Sequence, residues 1–186
     1  IKQGVKFIDA NTVYLSSDTK IGKNVIIEPF VVIGKKVKIG NSVVIKSFSH
    51  LENTIIKNKV EIGPYARLRP GSVLEDNSKV GNFVEIKKTK IGKGSKVNHL
   101  SYIGDAFLGQ KVNIGAGTIT CNYDGKNKYK TTIKDSAFIG SNSSLIAPVT
   151  IGKNSLVGAG SSISKNVKDN SLALTRAEQK NLRKKK

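Results

Sequence analysis

The chain has no Trp and no Met, a single Cys and two His, and only 6% of its 186 residues are aromatic. With so few rings, any core must be built from Ile, Val and Leu, a palette that favours strands. Cys121 alone excludes an intrachain disulfide and leaves no cysteine cluster for zinc, which suits a reducing cytoplasm. No apolar run approaches the roughly 18 residues needed to span a bilayer, and the opening IKQGVKFIDA lacks the apolar stretch of a signal peptide. No stable membrane insertion is expected, and the expected location is the cytoplasm. A chain that begins at Ile1 and holds no Met is expected to be cut from a longer polypeptide. Negative charge is also scarce, 13 acidic residues against 32 basic ones, for a net charge of +19. That excess raises nucleic acid or another polyanion as a partner. Yet Arg occurs only at positions 67, 69, 176 and 183, whereas base reading leans on Arg. No helix-turn-helix, zinc-finger spacing or aromatic RNA-binding motif appears, so the excess reads as a solvated lysine surface and no nucleic-acid partner is expected.

What the chain does have is a six-residue period. Positions 21, 27, 33, 39, 45 and 51 are Ile, Ile, Ile, Ile, Ile and Leu; after a five-residue step, 56, 62, 68, 74, 80 and 86 are Ile, Ile, Leu, Leu, Val and Ile. Ile91, Val97 and Ile103 follow, then Leu108 and Ile114, and last 133, 139, 145, 151, 157 and 163, again all aliphatic. Gly often follows the aliphatic residue, as in Ile33-Gly34, Val80-Gly81 and Ile139-Gly140, and Gly permits a tight corner. One inward aliphatic per six residues suits a short strand plus a turn. Three such units close a triangular coil of about 18 residues, and stacked coils make a parallel β-solenoid with strands about 4.8 Å apart.

Two segments break the period. Residues 121–132, CNYDGKNKYKTT, are polar, hold the turn-forming Asp124-Gly125 pair and read as an extruded loop, where function concentrates. Beyond Ile163 the pattern stops. The expected division is a solenoid over 1–166 and a C-terminal arm with a basic, disordered end over 167–186.

Coil stacking turns sequence separation into neighbourhood, because residues 18 apart, or 17 across a slip, lie above one another. Arg69 and Lys87 both follow inward residues and are 18 apart, so two cations should stack. They either clamp a phosphate or carboxylate or splay into water. Arg67 and Glu85 are also 18 apart, with Tyr102 17 further on. Glu85 reads as the ion-pair partner of Arg67 or as the carboxylate that orients a histidine. His99 lies two residues after inward Val97, and Ala116 fills the same place 17 later, which brings a backbone amide near an imidazole that is either structural or catalytic. His50 reads as surface, Cys121 as either an inert buried thiol or a reactive one near the loop, and IGAGT at 114–118 as a further repeat unit rather than a phosphate loop.

Longer motifs then narrow the reading. IGPYARLRPGS (62–72), VGNFVEIKK (80–88), KVNHLSYIGDA (96–106), VNIGAGTITCNYDGKNKYKT (112–131), FIGSNSSLIAPVTIG (138–152) and VGAGSSISKNV (157–167) resemble the acetyltransferase half of the bacterial bifunctional family that joins an N-acetylglucosamine-1-phosphate uridyltransferase to a glucosamine-1-phosphate N-acetyltransferase. The match is dense from about residue 60 to Arg176, while residues 1–55 share only the coil pattern. The resemblance implies an all-β, left-handed parallel β-helix and a homotrimer with sites between chains. It also implies acetyl transfer from acetyl-CoA to the amine of glucosamine 1-phosphate, on the route to UDP-N-acetylglucosamine, without a metal. By motif it makes His99 the general base with Glu85 as its orienting partner, and gives the sugar phosphate to Arg69 and Lys87 and the sugar to Tyr102 and Asn113. Ala116, Asn122, Tyr123, Ser141, Ala159 and Arg176 fall at acetyl-CoA positions, and Lys128 is an additional contact. The family's N-terminal uridyltransferase domain is absent from this segment.

Rival readings are open to test. A trimeric zinc carbonic anhydrase on a similar coil needs three histidines per site, and two are present. A related acyltransferase with another acceptor would not depend on the sugar 1-phosphate. A polyanion-binding scaffold would lose binding steeply with salt.

Overall fold

The computed structural model describes residues 4–183, which wind into a three-sided solenoid. Among the described residues the first face has ten strands, from Lys6–Phe7 to Leu172–Ala173. The second has nine, from Tyr14–Leu15 to Ser162–Ile163, and the third eight, from Lys20–Ile21 to Val149–Ile151. Neighbouring strands are parallel and in the register that the coil length dictates. Along the second face Arg67 lies opposite Glu85 and Glu85 opposite Tyr102. The parallel β-helix expected from the six-residue period is the observed fold.

The aliphatic row forms the core. Ile62, Ile86 and Ile103 are wholly buried, and each stacks on its counterpart one coil away. A second inward row, two residues earlier in each unit, is smaller: Val25, Val43, Val60 and Val84 in some units, Ser72, Ser78, Ser143 and Ser155 in others. A buried hydroxyl needs a partner. Here Ser72, Ser78, Ser143 and Ser155 each donate to the carbonyl three residues back, of Arg69, Glu75, Gly140 and Gly152, at 2.7 Å. Ser therefore fills the narrow place and closes the corner at once. Thr120 also points inward, level with Leu145, and its Oγ1 accepts from the Gly104 N–H at 2.8 Å.

The edge between the first and second faces carries an outer ladder of rings. Phe30, Phe48, Tyr65 and Phe83 stack with centroids 4.8 to 5.1 Å apart, the rise of one coil. All four sit at left-handed backbone angles, φ 53 to 61°, which are costly for ring-bearing residues. Continuous stacking offsets part of that cost.

The extruded loop is slightly shorter than expected, since the strands Ile119–Cys121 and Thr131–Ile133 take in both of its ends. The coil also reaches beyond 166. Leu172–Ala173 adds a last strand to the first face, so the solenoid runs to Ala173 and the arm proper begins after it. The final basic residues, 184–186, lie outside the described residues.

Candidate active site

His99 ends the strand Lys96–His99 at the edge between the first and second faces. Asn82, Ala116, Ser141 and Ala159 occupy the same place in successive coils. Asn82 is paired with His99, the Asn142 N–H donates to the Ala116 carbonyl at 2.7 Å, and the Gly160 N–H donates to the Ser141 carbonyl at 2.8 Å. These side chains and amides form one line running up the edge. The C-terminal arm returns to it: Arg176 Nη1 donates to the Ala159 carbonyl at 2.8 Å, and Thr175 Oγ1 accepts from the Ser162 N–H at 2.6 Å.

The second face carries the charged set. Arg67, Glu85, Tyr102 and Ile119 follow one another across strands, and with Phe83 and Leu100 they border a shallow groove of about 400 Å³ beside the His99 edge. Arg69 and Lys87 lie at the other end of the same strands, one coil apart.

Glu85 corrects one expectation. Its carboxylate accepts from Arg69 Nη1 at 2.8 Å and lies 4.0 Å from Arg67 Nη1, and the bond to Arg69 raises the guanidinium pKa further above its ordinary value. The long guanidinium of Arg69 reaches diagonally across the strand pair, past the directly opposed Arg67. His99 Nδ1 instead meets Asn82 Oδ1 at 2.6 Å. Glu85 is thus engaged with the arginines, and the side chain that meets His99 Nδ1 is Asn82, which lies within the motif at 80–88 without being singled out by it. The separation from 82 to 99 is one 17-residue coil, so stacking arithmetic contains the signal.

The loop stands on the edge between the second and third faces. Asn122 is buried at its root and donates its amide to the Asp105 carboxylate, while the Tyr129 N–H donates to the Asn122 carbonyl at 2.8 Å. Asp124 closes the tip by accepting from the N–H groups of Asn127 and Lys126 at 2.6 and 2.8 Å, and these bonds hold its carboxyl below the usual range. Lys128 and Lys130 lean over the third face, where with Lys88, Lys90 and Phe107 they border a cleft of about 540 Å³. Lys130 Nζ lies 5.7 Å from the Phe107 ring centre.

One chain thus gathers some of the expected site and separates the rest. Asn82, His99, Ala116, Ser141, Ala159 and Arg176 share an edge. Asn113 faces outward on the first face, Tyr102 and Lys87 on the second, and Lys128 overhangs the third.

The model of the bacterial transferase hexapeptide family (six repeats) matches residues 18–53, 53–88 and 130–165, more than half of the chain. The chain belongs to the hexapeptide transferase family. Among its relatives, the bifunctional protein GlmU of Zymomonas mobilis is 59% identical over 181 residues, covering 97% of this chain and 40% of that protein. GlmU of Cellvibrio japonicus is 63% identical over 145 residues, 78% of this chain and 32% of that protein. The chain therefore spans about two fifths or less of the length of these relatives. Among solved structures, the Arabidopsis UDP-N-acetylglucosamine acyltransferase superposes with a TM-score of 0.67 at 18% identity, over 91% of this chain and 65% of that one. The Francisella novicida acyltransferase gives 0.58 at 21% identity, over 86% and 66%. At such identities the likeness is one of fold.

Proposed function

We propose that this hexapeptide transferase moves the acetyl group of acetyl-CoA onto the amine of glucosamine 1-phosphate, giving N-acetylglucosamine 1-phosphate and CoA. The step is cytoplasmic and leads toward UDP-N-acetylglucosamine. The observation that carries this reading is the edge on which His99 stands in line with Ala116, Ser141 and Ala159, beside a face that presents Arg69 and Lys87. Likeness to the GlmU proteins over nearly the whole chain supports it.

In this reading Arg69 and Lys87 hold the sugar phosphate, the first through a planar fork and the second as a point charge. Tyr102 and Asn113 contact the sugar. Ala116, Ser141 and Ala159 line the path of acetyl-CoA, with Asn122, Tyr123 and Lys128 of the loop and Arg176 of the arm as further contacts. His99 Nε2 takes a proton from the amine as its nitrogen attacks the thioester carbon. The Ala116 N–H and the Ser141 hydroxyl donate to the developing oxyanion. The C–N bond forms, the C–S bond breaks, and the proton on His99 passes to the CoA sulfur. Transfer is direct. Cys121, at the end of its strand away from the His99 edge, takes no part, and no step calls for a metal.

A homotrimer completes the site. Asn113, Tyr102 and Lys128 belong to three different faces of one chain, and neighbouring copies that turn different faces toward a shared cleft bring such residues together.

Mass spectrometry of the products with glucosamine 1-phosphate, glucosamine 6-phosphate and free glucosamine tests the acceptor. Acetylated 1-phosphate is expected as the dominant product. Acetylation of another amine in preference to it would overturn the assignment.

A further inference from the structure

Histidine acts as a general base through a nitrogen that carries no proton, so what fixes the tautomer matters as much as where the ring lies. We propose that Asn82 is a positioning residue that holds His99 in the Nδ1–H tautomer and leaves Nε2 free to accept the substrate's proton. The proposal rests on the acetyltransferase reading for its kinetic part only.

Three observations carry it. Asn82 Oδ1, an atom that can only accept, lies 2.6 Å from His99 Nδ1, so a bond there requires the ring proton on Nδ1. The backbone beneath the pair is also unusual. Lys79–Asn82 and Lys96–His99 are the longest strands among the described residues, four residues each, and their pairing continues past the inward Val80 and Val97 to Asn82 and His99. On the same face the pairing of Glu61–Ile62 with Lys79–Val80 and of Lys96–Val97 with Asn113–Ile114 stops at the inward residue. Gly81 sits in the middle of that extension, where a Cβ would stand 1.9 Å from the Asn98 carbonyl oxygen, so the close approach of the two strands beneath the pair requires Gly there. The backbone on either side is tied down as well, since the Leu100 N–H donates to the Asn82 carbonyl at 3.1 Å and Ser101 Oγ donates to the His99 carbonyl at 2.8 Å. Finally, the nearest rival for the orienting role is engaged elsewhere, because Glu85 is bonded to Arg69. An amide in place of a carboxylate fixes the ring without adding a negative charge beside it.

The test has two arms. Nitrogen-15 spectra of histidine-labelled chain, with His50 identified by its loss in His50→Gln, read the tautomer of His99 without any substrate. A protonated Nδ1 and a bare Nε2 are expected; a protonated Nε2 would mean that the amide donates to the ring, and overturns the proposal. In the kinetic arm Asn82→Leu is expected to lower kcat about tenfold or more while KM for both substrates stays within about twofold, because orientation of a base acts on the transition state. Asn82→Asp, which keeps an acceptor in place, is expected to recover kcat to within about threefold of the unmodified chain. Equal loss in Leu and Asp variants, or an unchanged kcat in Leu, contradicts it. Failure of the sugar acceptor would remove the proposed function, whereas the tautomer spectrum would still decide for or against the pairing of Asn82 with His99.

Discussion

A guanidinium and an ammonium held one coil apart repel unless an anion lies near both, and part of that role already falls to Glu85, 2.8 Å from Arg69 Nη1. A phosphate entering between Arg69 and Lys87 would share the fork that Glu85 aims. Glu85→Gln is therefore expected to change KM for the sugar phosphate several-fold and kcat by less than about twofold. A loss of kcat comparable to that of His99→Ala would instead place Glu85 at the reacting atoms. At this scale the sequence is partly legible. His99 and Arg69 stand out because the chain has only two His and four Arg, and Lys87 because it lies 18 residues from Arg69. The partner of His99 does not, because an amide carries no charge to mark it. Coil arithmetic finds the looser partner of Glu85, Arg67 at 4.0 Å, and misses the closer one, because the long Arg69 side chain bonds on the diagonal at 2.8 Å.

Elements in a solenoid are short, and each depends on the coils above and below it. Ile86 is wholly buried between Leu68 and Ile103, so Ile86→Ala is expected to cost about 2–5 kcal/mol and to lower the melting temperature of the whole stack. Preservation of the melting temperature would contradict the packing described. Charge contributes less. Glu61 bonds Lys46 at 2.5 Å and Lys79 at 3.1 Å, and these cations, Lys46 first, hold its carboxyl below the usual 4.5. A folded-state pKa lower than the unfolded one gives a contribution that is whole above the ordinary value and lost as pH falls through the depressed one. With all three groups partly exposed it amounts to less than about 1 kcal/mol. Glu61→Gln is thus expected to lower the melting temperature slightly near neutral pH and to have no effect once the carboxyl is protonated; a difference that persists in strong acid would point to lost packing. The aliphatic row makes these elements readable from sequence. The second row is not readable, since Val, Ala, Ser and Thr alternate there and hydropathy blurs. Thr120 is hidden because a polar residue stands there in the aliphatic row itself, level with Leu145, and Leu172–Ala173 because its coil is short and follows a break in the period. The ring ladder from Phe30 to Phe83 obeys the same 17- or 18-residue spacing, but it lies outside the inward row, where the aliphatic period gives no sign of it.

The whole molecule is a three-sided solenoid that distributes its candidate site over an edge, two faces and a loop. If neighbouring copies complete that site, sedimentation should give three chain masses, and a monomer that turns over at full rate would contradict the assembly. Among the described residues Lys stands on all three faces, as at Lys79, Lys87 and Lys90, a spread that suits weak, salt-sensitive attraction to polyanions rather than a defined interface. In the proposed function, acetyl transfer occurs at the edge bearing His99. Thiol release from acetyl-CoA, followed with and without glucosamine 1-phosphate on the unmodified chain and on His99→Ala, tests it most directly. Release that requires the sugar and falls about a hundredfold or more in the variant is the expected result for a lost general base. Release that is indifferent to the sugar, or unchanged in a folded His99→Ala chain, would contradict it.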